Sequence, residues 1–211
     1  CQPVNARFAN AIQTTHTGSE RKGRALSKRQ RVFNREFKHR VVTMSDVLLD
    51  FDRVNRTGLA EAIFCEGKQL SQLVEICEMC HTQNRSMLLT RLNQQQFQHL
   101  EENFPGLLNY DVVSKTAIIS AKPTVVEHQV GVITAGSSDL PIAQETVRTL
   151  AFYQHQAMPI YDVGVAGLWR LTERLPQIKQ CKVVICIAGF DAALPTVLGG
   201  LIAAPIIAVP T

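Results

Sequence analysis

From Val130 onward the chain alternates short apolar runs with longer amphipathic ones, and this alternation limits the fold more than any other feature. VGVIT, MPIYDV, KVVICIAG and PIIAVPT read as strands, and PIAQETVRTLAFYQHQ, AGLWRLTERL and LPTVLGGLIAA read as the helices between them. Strands that are apolar at nearly every position must be covered on both faces, which requires a parallel sheet with helices on either side. The predicted architecture is therefore α/β, a three-layer doubly wound parallel sheet. Right-handed crossovers bring the turns after successive strands to one edge, the carboxyl edge, where such sheets hold ligands. Those turns are AGSSD (135–139), YDVGVAG (161–167), AGFDAALP (188–195) and the final PT. The run stops at Thr211, where a further turn is due, so the sequence is expected to be a piece of a longer protein.

Upstream, residues 45–123 are expected to form a smaller α/β domain. A helix is predicted at about 70–83, a strand at Met87–Thr90, a helix at about 93–102 and a strand across Val112–Ala121. Lys122-Pro123-Thr124 interrupts the pattern and marks the start of the second domain, 124–211. Residues 1–44 form a basic tail. The first 40 residues hold ten Lys/Arg against two acids, a balance of +8, whereas the remaining 171 hold twelve against sixteen, a balance of −4. Without apolar periodicity, such a tail is expected to be a disordered extension. Its RKGRALSKRQR stretch could touch phosphates, but nucleic acid is not an expected partner. It also loosely resembles an organelle presequence, so organellar targeting stands as an alternative to the expected cytoplasmic location.

Six cysteines include Cys77-Glu78-Met79-Cys80-His81, the spacing of a haem-attachment motif. Leu70, Leu73, Val74, Cys77 and Cys80 nevertheless share one helical stripe, which places both thiols in the core. Cys186 sits inside an apolar strand and reads as packing. A reduced, intracellular setting follows. The most apolar segment, Leu194–Val209, is interrupted by Pro195, Gly199, Gly200 and Pro205, and is too short to span a bilayer.

The carboxyl-edge turns carry the candidate chemistry. Gly136, Ser137, Ser138 and Asp139 offer backbone amides, hydroxyls and a carboxylate before a helix start, an arrangement suited to phosphate. Asp139 has an equally good reading as a helix N-cap. Asp162 lies in the second turn, and Gly189 and Asp191 in the third. Three carboxylates at one edge suit a metal–phosphate site or general acid/base work.

GVITAGSSDLPIAQET, YDVGVAGLWRL and IAGFDAALPTVLGGLIAAPIIAVPT resemble the catalytic half of the LarB family of nickel-pincer cofactor biosynthesis, itself similar to the 5-aminoimidazole ribonucleotide (AIR) carboxylase/mutase family. DFDRVNRTGLAEAIFCEGKQ is similar to the signature preceding that half, carried here by Asp52, Arg53, Arg56, Gly58, Glu61, Gly67 and Lys68. The resemblance spans about residues 46–211. It implies carboxylation of the pyridinium ring of nicotinic acid adenine dinucleotide, with phosphoanhydride hydrolysis releasing AMP. CO2 or bicarbonate would be the co-substrate and Mg2+ the assisting metal. Asp139, Asp162 and Asp191 would be catalytic, with Asp191 and Asp139 toward the metal. Gly136, Ser137, Ser138, Gly189, Arg53, Arg56, Glu61 and Lys68 would bind substrate. Arg53 and Arg56 could equally form structural ion pairs with Asp52 and Glu61.

Departures from the family pattern are Ala60 for Pro, Gln69 for Thr and Ala192 for Gly. The family's nucleophilic cysteine is expected beyond Thr211, so this chain alone is expected to be inactive. The resemblance also implies a homo-oligomer, an octamer. Two alternatives remain. An AIR carboxylase/mutase of purine synthesis would need a Ser-Ala-His-Arg turn where Tyr161-Asp162-Val163-Gly164 stands. A noncatalytic nucleotide-binding module would need no nucleophile.

Overall fold

The structure is a computed structural model that describes residues 46–120 and 126–211. The basic tail and the Lys122–Thr124 boundary lie outside the described residues. Residues 46–211 pack as one compact unit holding two four-stranded sheets.

The upstream sheet is mixed. A short exposed helix, α1 (Arg53–Thr57), closes on Gly58, whose φ of 78° is left-handed and lets its N–H reach the Val54 carbonyl. Strand β1 (Ala62–Phe64) runs parallel to β2 (Met87–Thr90). Strands β3 (Leu108–Asp111) and β4 (Thr116–Ile119) form an antiparallel hairpin, and β4 pairs with β2, giving the order β1-β2-β4-β3. Helices α2 (Leu70–Thr82) and α3 (Gln94–Asn103) cover one face. Leu73, Ile76, Cys77 and Cys80 of α2 meet Met87, Leu89, Ala117 and Ile119 there, every second residue of β2 and β4. Both cysteines of the haem-like motif are thus interior packing, and His81 is exposed.

Two expectations are corrected here. The strand predicted across Val112–Ala121 is a tight hairpin turn followed by β4, because Asp111 accepts bonds from the Ser114 N–H and hydroxyl and folds the chain back. β1 and β3 lie outside the expected elements, since three or four residues are too few to show a period.

The downstream sheet is all parallel, ordered β6-β5-β7-β8, with β5 (Val126–Thr134), β6 (His155–Ile160), β7 (Val183–Ala188) and β8 (Ile206–Pro210). Helix α4 (Leu140–Phe152) links β5 to β6, while α5 (Leu168–Ile178) carries the chain back across β5 to β7. Helix α6 (Ala193–Gly199) leads on to β8. The direction of travel reverses after β6, so right-handed crossovers put α4 on one face and α5 and α6 on the other. The packing agrees. Val132, Ala157 and Ile187 meet Ala143 and Val147 of α4, while Ile133, Val184 and Cys186 meet Leu171, Ile178, Leu194 and Leu198. This is the expected doubly wound α/β architecture.

Two helices are shorter than their apolar patterns suggested. α4 stops at Phe152, because Gln154 takes a left-handed φ of 66° and β6 begins at His155. α6 stops at Gly199, where two glycines weaken the helix. Helix α4 also packs across β2 and β4, over the sheet face that holds Leu88 and Ile118, so one helix covers both sheets. Arg148 bonds to Thr116 and Asn109, and the Tyr153 hydroxyl donates to the Ala60 carbonyl.

Candidate active site

Strand order reverses between β5 and β7, and the crevice beyond their carboxyl ends is where a doubly wound sheet binds its ligand. Hydrogen bonds between neighbouring strand ends fix the turns there. Ala135 N–H donates to the Ile187 carbonyl at 2.9 Å, and Thr211 N–H to the Ala188 carbonyl at 3.2 Å. Thr134, fully buried, accepts from Asp162 N–H at its hydroxyl and from Val163 N–H at its carbonyl, both at 3.0 Å. Around these ties opens a cavity of about 660 Å3, within the range of small-molecule sites.

All three predicted carboxylates, Asp139, Asp162 and Asp191, line this cavity, together with Gly136, Ser138 and Gly189. Ser137 is exposed and does not line it.

Asp139 is only 5% exposed and holds the N-cap position of α4, but its side chain makes no cap hydrogen bond to that helix. One carboxylate oxygen accepts the Gly136 N–H at 3.0 Å and the other the Thr211 hydroxyl at 2.8 Å. It therefore closes the first turn on itself and ties it to the end of β8. Asp162, with φ 58°, pairs with Arg170 at 2.6 Å. Asp191 is exposed between Phe190 and Ala192, both left-handed at φ 53° and 49°. Left-handed residues with a Cβ are disfavoured, and here they cluster at two of the three turns.

The upstream signature stands elsewhere. Arg56 pairs with Asp50, and with Asp52 at 3.8 Å. Glu61 accepts the Asp50 N–H at 2.8 Å, and Arg53 is exposed. None of Arg53, Arg56, Glu61 or Lys68 lines the carboxyl-edge cavity. The ion-pair reading is thus met for Arg56, with Asp50 as its foremost partner. Val54 and Gly58 sit beside Phe152 and Tyr153, at the far end of α4. A 13-residue helix spans about 20 Å, so the signature lies at the opposite end of α4 from its own chain's turns.

Gly164 and Thr211 line the cavity within turns expected to converge there, whereas Arg170 lines it without having been singled out from the sequence. Arg170 stands in the first turn of α5, eight residues after Asp162, and that spacing was the available signal. Gly164 leaves no room for a side chain, because an added Cβ would lie 2.7 Å from the Ala135 carbonyl oxygen.

The charge balance restricts what the cavity can hold. Among the described residues, three carboxylates face a single cation, Arg170, and no histidine or cysteine lines the wall. Cys186 has its thiol pushed up to about 12, chiefly by burial and further by the Asp139 charge. Among the described residues no three His, Cys, Asp or Glu side chains come together as a metal site. Both Asp139 oxygens are already engaged. Asp191 remains free to meet a cation, so a magnesium ion would take most of its ligands from substrate oxygens and water.

The fold and the turn-lined crevice define a doubly wound α/β protein with a small-molecule-sized cavity at the carboxyl edge of its parallel sheet. Residues 129–211 match the AIR carboxylase family, and residues 42–122 match the LarB/PurE-like N-terminal domain. The chain is 34% identical over 171 residues to an uncharacterized protein of Methanocaldococcus jannaschii, covering 77% of this chain and 67% of that one. It belongs to the LarB-like family, with an AIR carboxylase-like domain and a carboxylase-like function. No helix among the described residues is long and apolar enough to cross a membrane.

Proposed function

We propose that the protein carboxylates the pyridinium ring of nicotinic acid adenine dinucleotide and hydrolyses its phosphoanhydride, releasing AMP. One observation carries this reading over the purine alternative: three carboxylates and one guanidinium line the cavity, and no histidine does. An AIR carboxylase would need an imidazole to move its proton, and the Asp162–Gly164 turn offers none. A wall carboxylate can stabilise the positive ring nitrogen by Coulomb attraction, while the ring's own carboxylate and the two phosphates would lean on Arg170 and backbone amides. CO2 adds to a ring carbon, and that carbon's proton leaves to a base, with no net change of oxidation state. Asp162 and Asp191 stand on the wall to accept it. Arg170 and the amide and hydroxyl of Ser138 would hold phosphate oxygens. Mg2+, when bound, supplies charge neutralisation to the two phosphates.

The thiol that the resemblance calls for to activate the ring is none of Cys65, Cys77, Cys80, Cys181 or Cys186, since none lines the cavity. It would have to reach the site from elsewhere. We extend the proposal to a homo-oligomer, an octamer by resemblance, in which a second copy could present Arg53 and Arg56 to the cavity. Light scattering of the full-length protein giving a clean monomer would remove that part.

The reaction is tested by incubating the full-length protein with nicotinic acid adenine dinucleotide, bicarbonate and magnesium, followed by mass spectrometry. AMP and a dicarboxylated pyridine mononucleotide should both appear, and Asp191→Ala should abolish them. Carboxylation of aminoimidazole ribonucleotide instead would establish the purine reading. Binding without turnover of either would leave a nucleotide-binding module.

A further inference from the structure

A second cavity, of about 640 Å3, opens where the C-terminal end of α4 meets α1 and the upstream sheet. Val54, Ile118 and Phe152 give it an apolar wall, and the Phe152 and Tyr153 rings lie edge to face at 5.1 Å. Among the described residues, Arg148 is the only charged one lining it.

The guanidinium of Arg148 is held entirely by neutral acceptors. Nε donates to the Thr116 hydroxyl at 2.6 Å, and Nη2 to the Asn109 carbonyl and side-chain oxygens. Nη1 has no partner among the described residues, and Arg148 makes no ion pair there. Asp111 is near enough to act on it through space, but that carboxylate accepts both Ser114 donors and does not line the cavity. With Nε and both Nη2 hydrogens engaged, Nη1 is the nitrogen left to give a carboxylate a charge-assisted hydrogen bond.

The helix end here limits how much negative charge is tolerated. α4 presents its C-terminal carbonyls to this cavity, which carry about half a negative charge. With a single guanidinium, the site favours a monoanion over a phosphate dianion.

We infer that this cavity binds a small aromatic monocarboxylate, with the carboxylate on Arg148 and the ring against the Val54–Ile118–Phe152 wall. The inference does not depend on the reaction proposed for the carboxyl-edge cavity.

Titration calorimetry of the full chain with benzoate tests it, with benzamide and inorganic phosphate as probes of charge. Saturable benzoate binding at about millimolar concentration is expected, with benzamide and phosphate at least tenfold weaker. Arg148→Lys keeps the charge but removes the planar Nη1 donor, and should weaken benzoate at least fivefold. Because Arg148 also straps α4 to β3 and β4, a second variant is needed. Ala151 is exposed and lines the cavity, so Ala151→Trp fills the space without disturbing the core. It should abolish binding while leaving the melting curve unchanged. Absence of saturable benzoate binding to the wild-type protein would overturn the inference. So would undiminished binding by Ala151→Trp, which would place the ligand elsewhere, or phosphate binding as tightly as benzoate.

Discussion

Gly164 is the residue at which the site's construction can be tested most directly. An alanine Cβ there would lie 2.7 Å from the Ala135 carbonyl oxygen, against 3.4 Å for the start of ordinary contact. The obstacle is backbone, so no rotamer change relieves it. Gly164→Ala must push the first and second turns apart by several tenths of an ångström, and both turns line the cavity. Overpacking of this kind costs about 1–3 kcal/mol, or a melting temperature lower by roughly 2–12 °C for a chain this size. A misplacement approaching 1 Å can also cost about a hundredfold in turnover. Gly136→Ala is the control, since its Cβ would meet nothing closer than 3.5 Å and its φ is −126°. It should change stability by less than about 0.5 kcal/mol. Urea unfolding of the three proteins decides the matter. If Gly164→Ala matched the wild type, or Gly136→Ala fell with it, the tight seam between the two turns would not be what shapes the cavity.

Asp139→Ala removes the acceptor of two hydrogen bonds from a buried site and should destabilise by about 2 kcal/mol, read as a lower urea midpoint. Asp139→Asn should retain more of the stability, because the Thr211 hydroxyl can turn to suit an amide. Arg170→Met leaves folding within about 0.5 kcal/mol, because the Asp162 pair is solvent-exposed. It should nonetheless weaken dinucleotide binding at least tenfold in a calorimetric titration. Burial pushes the thiols of Cys65, Cys77 and Cys186 up to about 12, and that of Cys80 to about 11, from an ordinary 9. Between those values the unfolded chain loses protons that the folded chain keeps. Stability is therefore full below pH 9 and declines as pH rises toward 12. At pH 10 the urea midpoint should sit well below that at pH 8. Iodoacetamide should label these residues only after unfolding.

The parallel sheet was legible because KVVICIAG and PIIAVPT are buried on both faces and so carry no polar alternation. β6 was harder to place. It lies at the sheet edge, where His155 and Gln156 are exposed, and these polar residues continue the helix pattern of α4. Three of the four residues in the first turn, and both other carboxylates, were found because turns after parallel strands must converge. Asp139 was open to reading as a cap, since sequence cannot show that its oxygens turn back to Gly136 and across to Thr211. Arg170 escaped notice because an arginine in a first helical turn carries no special pattern. The distance between the upstream signature and the carboxyl-edge turns was also hidden, as it depends on which end of α4 meets α1.

The double duty of α4 has a consequence for how the molecule comes apart. One side of the helix packs Ala143 and Val147 onto the parallel sheet, and the other covers β2 and β4 and pins them through Arg148. Neither sheet keeps its cover without it. The amides of β2 and β5 should thus exchange with deuterium through one shared opening event rather than two. The family's two halves, though matched separately along the chain, would then melt together, and a cut between them would leave each with a bare apolar face.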